Sequence, residues 1–252
     1  MKRDGSADAE RPMLVKLPRT AVVIATLLVS SIVRAQDKKL EPGFVSMFDG
    51  ETLKGWSAMP KRESKAWSVK DGAIVGRGGK DRSYLVYRDH DVADFELKLS
   101  YRFPGKGNSG ISIRAIKDQT GRRGFQSYHA DLGHLGIGAQ VLGAWDFHTP
   151  GRREHACFRG DRLVIDKNDH PTVTRIKDAV TVDDIRKAGW NRVHLIAKGN
   201  NFKLAINGKL SSEFTEHLDK KRRLSSGMIQ LQLHDPGMVV AFKDLRIKLA
   251  DN

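Results

Sequence analysis

The nine residues from Phe95 to Phe103 alternate strictly. Phe95, Leu97, Leu99, Tyr101 and Phe103 are set against Glu96, Lys98, Ser100 and Arg102. Successive side chains of a β-strand point to opposite faces, so one face of this strand is buried and the other is polar. The pattern returns near the C-terminus, where Ile229, Leu231 and Leu233 alternate with Gln230, Gln232 and His234 before a second strand, Met238 to Leu249. Asn108 to Arg114 sends Ile111 and Ile113 to the core and leaves Asn108, Ser112 and Arg114 on the other face. Short alternating runs separated by turn signals predict an all-β sandwich.

Turn chemistry punctuates the chain where the sandwich needs it. Asp49-Gly50 follows Phe44–Phe48, Asp71-Gly72 follows Trp67–Val69, and Asn207-Gly208 closes the hairpin formed by Trp190–Lys198 and Phe202–Ile206. Ala73–Val75 and Tyr84–Val86 supply further strands. One short helix is expected at Val182–Lys187, with Thr181 as its cap and Asp184 placed for a capping box. Residues 145–189 are irregular and polar, which predicts a long loop over one end of the sheets. The single cysteine, Cys157, excludes an intrachain disulfide and a cysteine-rich metal site.

The apolar run Ala21–Val33 is short for a bilayer span. Lys16 and Arg19 precede it and Val33-Arg34-Ala35 offers a cleavage site, so residues 1–35 are expected to be a secretory signal peptide. Translation from Met13 would leave a conventional signal of the same kind, and an uncleaved anchor is the alternative. The expectation is therefore one periplasmic or secreted domain, residues 36–252, with no stable membrane span after cleavage. Removing residues 1–35 takes away six Lys/Arg and three Asp/Glu, so the charge of +14 falls to +11. The basic residues are dispersed, apart from Lys220-Lys221-Arg222-Arg223 and Arg152-Arg153, and no nucleic-acid-binding motif accompanies them. A nucleic-acid partner is not expected.

Several blocks in order resemble one family. Gly43–Gly50 with Leu53-Lys54-Gly55-Trp56, then Trp67–Gly76, Asp94–Leu97 and Gly107–Ile111, are similar to the opening of the 3-keto-disaccharide hydrolase family (3-keto-glucoside lyase/hydratase domains). Gly189–Arg192, Asn207-Gly208, Leu231–His234 and Phe242–Ile247 extend the resemblance to roughly Phe44–Leu249. It implies a concanavalin A-like jelly roll of two antiparallel sheets, one of them concave and able to hold a glycan. It also implies action on glycosides or oligosaccharides already oxidised at carbon 3.

The implied chemistry is intelligible from the ketone. A carbonyl at carbon 3 acidifies the hydrogen on carbon 2, so a base can form an enolate that expels the aglycone from carbon 1, and water then adds. Such a site needs a general base and a cation or hydrogen-bond donors at the developing oxyanion. A divalent metal could fill the second role. Strand parity selects Arg114 for the oxyanion, with Asn108, Gln230 and Gln232 orienting hydroxyls.

The stretch Gly124–Gly133 resembles a family strand in which Gln126 is the polar-face residue and Asp131 the carboxylate. Ser127-Tyr128-His129 looks like extra sequence within it, leaving open whether His129 or Asp131 takes the familiar position. Gly151-Arg152-Arg153 resembles the following loop and adds Arg153 as a binding candidate. His234 or Asp131 is the expected base. A salt bridge for Arg114, a turn contact for His234 and a turn cap for Asp131 are the plain alternatives. His129, Asp131 and His134 are the candidate metal ligands. The competing function is a lectin-like carbohydrate-binding module of the envelope, since this fold also binds glycans without changing them.

Overall fold

The alternating segments form strands in the computed structural model, which describes residues 40–87, 91–138 and 140–250. The expected export segment, residues 1–35, lies outside the described residues. In chain order the first strands are β1 Val45–Ser46, β2 Trp56–Met59, β3 Trp67–Lys70, β4 Ala73–Arg77, β5 Ser83–Tyr87, β6 Phe95–Arg102, β7 Asn108–Lys117 and β8 Phe125–Gly133. There follow β9 Trp145–His148, β10 Asp161–Ile165, β11 Pro171–Arg175, β12 Asn191–Lys198, β13 Asn201–Ile206, β14 Lys209–Glu216, β15 Met228–Leu233 and β16 Val239–Leu249.

They build two sheets. The larger runs β11-β10-β14-β13-β12-β6-β16-β4-β3, with β1 also on β16; the smaller runs β2-β5-β15-β7-β8-β9. Each sheet turns its apolar face to the other, as the alternation dictates. Phe95, Leu97, Leu99 and Tyr101 of β6 are at most 2% exposed and share one core with Ile111, Ile113, Ile229, Leu231 and Leu233 of the smaller sheet.

Rings close the middle of the sandwich. Phe202 and Phe214 of the larger sheet stack at 4.3 Å, and Tyr128 and Phe147 of the smaller sheet pack on them at 4.8 Å each. Tyr128 is the one polar member. Its hydroxyl hydrogen-bonds the buried Glu216 carboxylate, which Arg152 Nη2 meets at 2.7 Å, and it accepts the Leu224 amide at 2.9 Å. Every buried polar atom of that group thus finds a partner except Arg152 Nε, as burial in a low-dielectric interior demands.

Three sequence expectations change in detail. Residues 145–189 are not one loop, since they hold β9, β10 and β11. β10 does alternate, with Asp161, Leu163 and Ile165 buried, but over only five residues; β11 is exposed throughout and carries no periodic signal. β10 also pairs with β14 in parallel, so the larger sheet is not wholly antiparallel. The expected helix at Val182–Lys187 is a single 3₁₀ turn, Val182–Asp184, where the Asp184 carboxylate accepts from the Thr181 amide at 2.9 Å. A second 3₁₀ segment, Lys61–Ala66, links β2 to β3.

Candidate active site

The outer face of the smaller sheet carries the polar half of the alternation. One cross-strand row pairs Val86 with Gln230, Gln230 with Ser112, Ser112 with His129, and His129 with Asp146. Two residues along the strands, Tyr84 pairs with Gln232 and Gly110 with Asp131. Together with the strand ends these rows enclose a cleft of about 230 Å³, whose walls include Arg82, Asn108, Asp131, His148, Gln232 and His234. Arg123, His129 and Asp146 complete it.

Position explains each group. β8 is regular, so Ser127, His129 and Asp131 fall on the cleft side and Tyr128, Ala130 and Leu132 in the core. Both His129 and Asp131 therefore belong to the cleft, and Ser127-Tyr128-His129 runs through the strand without a bulge. Gly110, opposite Asp131, leaves room for the imidazole: a Cβ there would strike the His129 ring and the Ala130 carbonyl oxygen. On β9, Trp145 and Phe147 are buried while Asp146 and His148 face the cleft. The imidazoles of His129 and His148 stack at 4.8 Å.

The electrostatics divide the cleft into unlike groups. Burial pushes the Asp131 carboxyl up to about 8, and the Asp146 carboxylate adds to the push. Burial, aided by the neighbouring His148 ring, drives His129 well below the ordinary histidine value, which favours its neutral form. Its Nε2 stands 3.7 Å from Asp131 Oδ1 and its Nδ1 2.9 Å from Ser112 Oγ. A neutral imidazole offers the Asp131 carboxylate no counter-charge. Against the upward pull of partial burial, the His148 hydrogen bond at 2.9 Å holds Asp146 down at about 2.

A second acid–base pair stands across the cleft. Asp235 Oδ1 lies 2.6 Å from His234 Nδ1, and Arg82 Nη2 lies 2.6 Å from His234 Nε2. Arginine only donates, so Nε2 accepts and the ring proton sits on Nδ1, facing Asp235. The other Asp235 oxygen accepts the Asn108 amide at 2.8 Å. These hydrogen bonds hold Asp235 below the usual carboxylate range, although burial works the other way. Asn108 Oδ1 is buried and finds no partner among the described residues, which suits an acceptor reserved for a bound hydroxyl.

Of the sequence candidates, Asn108, His129, Asp131, Gln232 and His234 are brought together. Gln230 lies in the same row, fully buried with both amide atoms unpartnered, but does not line the cleft. Arg114 is corrected. A bulge between Ile113 and Ile116, with Arg114 at φ +47°, reverses its side and sends the guanidinium 4.8 Å from the Phe202 ring. There it donates to the carbonyls of Ala93, Gly199 and Leu224 and meets Asp94 at 2.9 Å. It is a structural clasp.

Gln126 also leaves the site, because it lies an odd number of residues from Asp131; its amide donates to Asp118 at 3.1 Å. Arg153 is exposed in the loop after β9, outside the cleft. The three expected metal ligands do not converge, since His134 Nδ1 bonds the Gly107 backbone at 3.0 Å. Among the described residues no group of three or more His, Cys, Asp or Glu side chains is arranged to hold a metal. Arg82, Arg123, Asp146, His148 and Asp235 were missed; the alternation in Trp145-Asp146-Phe147-His148 was the available signal for two of them.

A family model described as the 3-keto-alpha-glucoside-1,2-lyase-like domain matches residues 43–248. The chain belongs to this family. A 3-keto-disaccharide hydrolase from Bacteroides thetaiotaomicron is 35% identical over 77 residues, a match that covers 27% of this chain and 26% of that protein. The matched stretch is thus about a quarter of the relative's length. Two proteins from Parabacteroides distasonis, provisionally named glycosyl hydrolases, share the fold. One has a TM-score of 0.56 at 18% identity over 83% of this chain and 94% of its own, the other 0.53 at 16% over 82% and 99%. The chain is thus a two-sheet β-sandwich of a family whose name denotes action on a carbohydrate. Among the described residues no helix is long and apolar enough to cross a membrane.

Proposed function

We propose that the cleft cleaves 3-keto-glycosides by proton abstraction at carbon 2, elimination of the aglycone and hydration. The observation that carries this reading is one cleft pairing a carboxyl that stays protonated near neutrality, Asp131, with a carboxylate-backed imidazole, His234. An acid held protonated beside an imidazole with a free lone pair is what acid–base chemistry requires.

Asp235 fixes the His234 tautomer that leaves Nε2 able to take a proton. His234 Nε2 removes the hydrogen from carbon 2, and Arg82, the cation beside it, stabilises the enolate oxygen at carbon 3. This gives Arg82 the part that the sequence had suggested for Arg114. The enolate collapses to a carbon 1–carbon 2 double bond and expels the glycosidic oxygen, to which Asp131 gives its proton. Water adds to carbon 1 and a proton returns to carbon 2, so the net change is hydrolysis. Asn108 and Gln232 bind hydroxyls, and His129, packed 3.7 Å from Asp131, is a positioning residue that adds to the burial holding that carboxyl protonated. The apolar run at Ala21–Val33 supports action after export, in the periplasm or outside the cell.

The test is aglycone release from a 3-keto-glucoside with a chromogenic leaving group, alongside its unoxidised parent. The expected result is release from the keto sugar alone, lost in His234→Asn. Release from neither sugar, with saturable glycan binding, would make this a lectin-like module and overturn the reading.

A further inference from the structure

A second hollow of about 380 Å³ adjoins the cleft, and Arg82, Arg123 and His148 line both. Its chemistry is different. Met59, Pro60, Tyr84 and Phe125 give it an apolar wall, with the Tyr84 and Phe125 rings edge to face at 6.1 Å. Tyr84 projects there from β5 and Phe125 from the start of β8, at the end of the smaller sheet's outer face. Arg82, Arg122 and Arg123 border the hollow, Arg123 facing Glu154 at 3.7 Å, and among the described residues no Asp or Glu lines it.

We propose that this hollow is the aglycone subsite and that it selects a flat aromatic aglycone carrying a negative charge, such as a carboxyphenyl group. The proposal rests on the 3-keto-glycoside reading of the cleft. A group leaving carbon 1 must sit beside the reacting sugar, and the shared walls put the two spaces side by side. Sugar hydroxyls would find few partners among Met59, Pro60 and Phe125, whereas an aromatic ring matches the edge-to-face geometry of Tyr84 and Phe125. Arg123 already faces Glu154 at 3.7 Å and Arg82 is held on His234, so Arg122, with no ion pair among the described residues, is the guanidinium left for an anion, and a planar carboxylate suits its fork.

The probes are 3-hydroxybenzoate, its neutral isostere 3-hydroxybenzamide, and acetate. Affinity is read by NMR titration of the full chain and needs no turnover. The expected order is benzoate over benzamide by about threefold, the size of an exposed ion pair, and benzoate over acetate by about tenfold from ring burial. Arg122→Gln removes the benzoate preference and leaves cleavage of the methyl 3-keto-glucoside unchanged. Tyr84→Ala and Phe125→Ala weaken both aromatic probes. Equal binding of benzoate and benzamide, or of benzoate and acetate, overturns the proposal, as does unchanged affinity in both ring variants. Loss of cleavage with this binding order intact counts against the reaction and not against the subsite.

Discussion

Arg82 Nη2 lies 2.6 Å from His234 Nε2, while Asp235 Oδ1 lies 2.6 Å from the other nitrogen of the same ring. The imidazole is thus held between a permanent cation and a carboxylate, with its lone pair turned toward the cation. On the proposed reaction, a keto sugar in the cleft would take over the arginine's hydrogen bond and meet the base and the oxyanion partner at adjacent atoms. Arg82→Ala is expected to lower kcat/KM by about 100-fold, as for loss of one oxyanion donor. Steady-state kinetics on a 3-keto-glucoside checks it, and a change of only a few fold would remove Arg82 from the reaction.

Asp131 sets an alkaline limit. Its carboxyl titrates at about 8, so the acid is lost and kcat/KM falls as pH rises through that value. Stability moves the same way. The folded chain binds this proton more tightly than the unfolded chain, whose carboxyl titrates near 3.8. Between about pH 4 and about pH 8 the group therefore erodes folding free energy by about 1.4 kcal/mol per unit. Denaturant titrations of Asp131→Asn should show a flatter pH dependence across that window than the parent, and parallel curves would contradict the assignment.

Gly110 is expected to be intolerant of alanine because its hydrogen faces the His129 ring. Gly110→Ala displaces the imidazole, exposes Asp131 to water and lets it ionise at lower pH. The alkaline limb of the pH–rate profile should then shift downward. An unshifted limb in a folded variant would show that His129 does not hold Asp131 neutral.

Arg114→Ala tests the clasp. Four hydrogen-bond acceptors lose a charged donor in a buried setting, a loss on the order of 3 kcal/mol. Chemical denaturation should report that loss. The protein that remains folded at low temperature should keep kcat near the parent value, whereas a catalytic arginine would show the reverse.

Strand parity carried the fold and part of the site. Phe95–Phe103 and Ile229–Leu233 were readable because one buried face imposes a period of two over many residues, and the same count placed Asn108, Gln232 and His234 in the cleft. Parity failed where one residue was added. The bulge at Arg114 turned a polar-face prediction into a buried contact, and a bulge leaves little trace in composition. At Gln126 it was the resemblance that misled: the strand count from Asp131 placed this residue off the cleft face, and the count was right. Arg82 and Asp235 stand just beyond their strands, in stretches without periodicity, so only the folded chain brings them to His234.

The central claim is the passage of the reaction through carbon 2, and the product formed in deuterium oxide tests it most directly. Cleavage of methyl 3-keto-glucoside is run in that solvent, stopped early, and the released sugar compared by mass spectrometry with a non-enzymatic control. Elimination followed by hydration returns a solvent deuteron to carbon 2, so the account predicts a 3-keto sugar labelled there in proportion to turnover. A released sugar that keeps its original hydrogen at carbon 2 would contradict it and point to direct displacement at carbon 1.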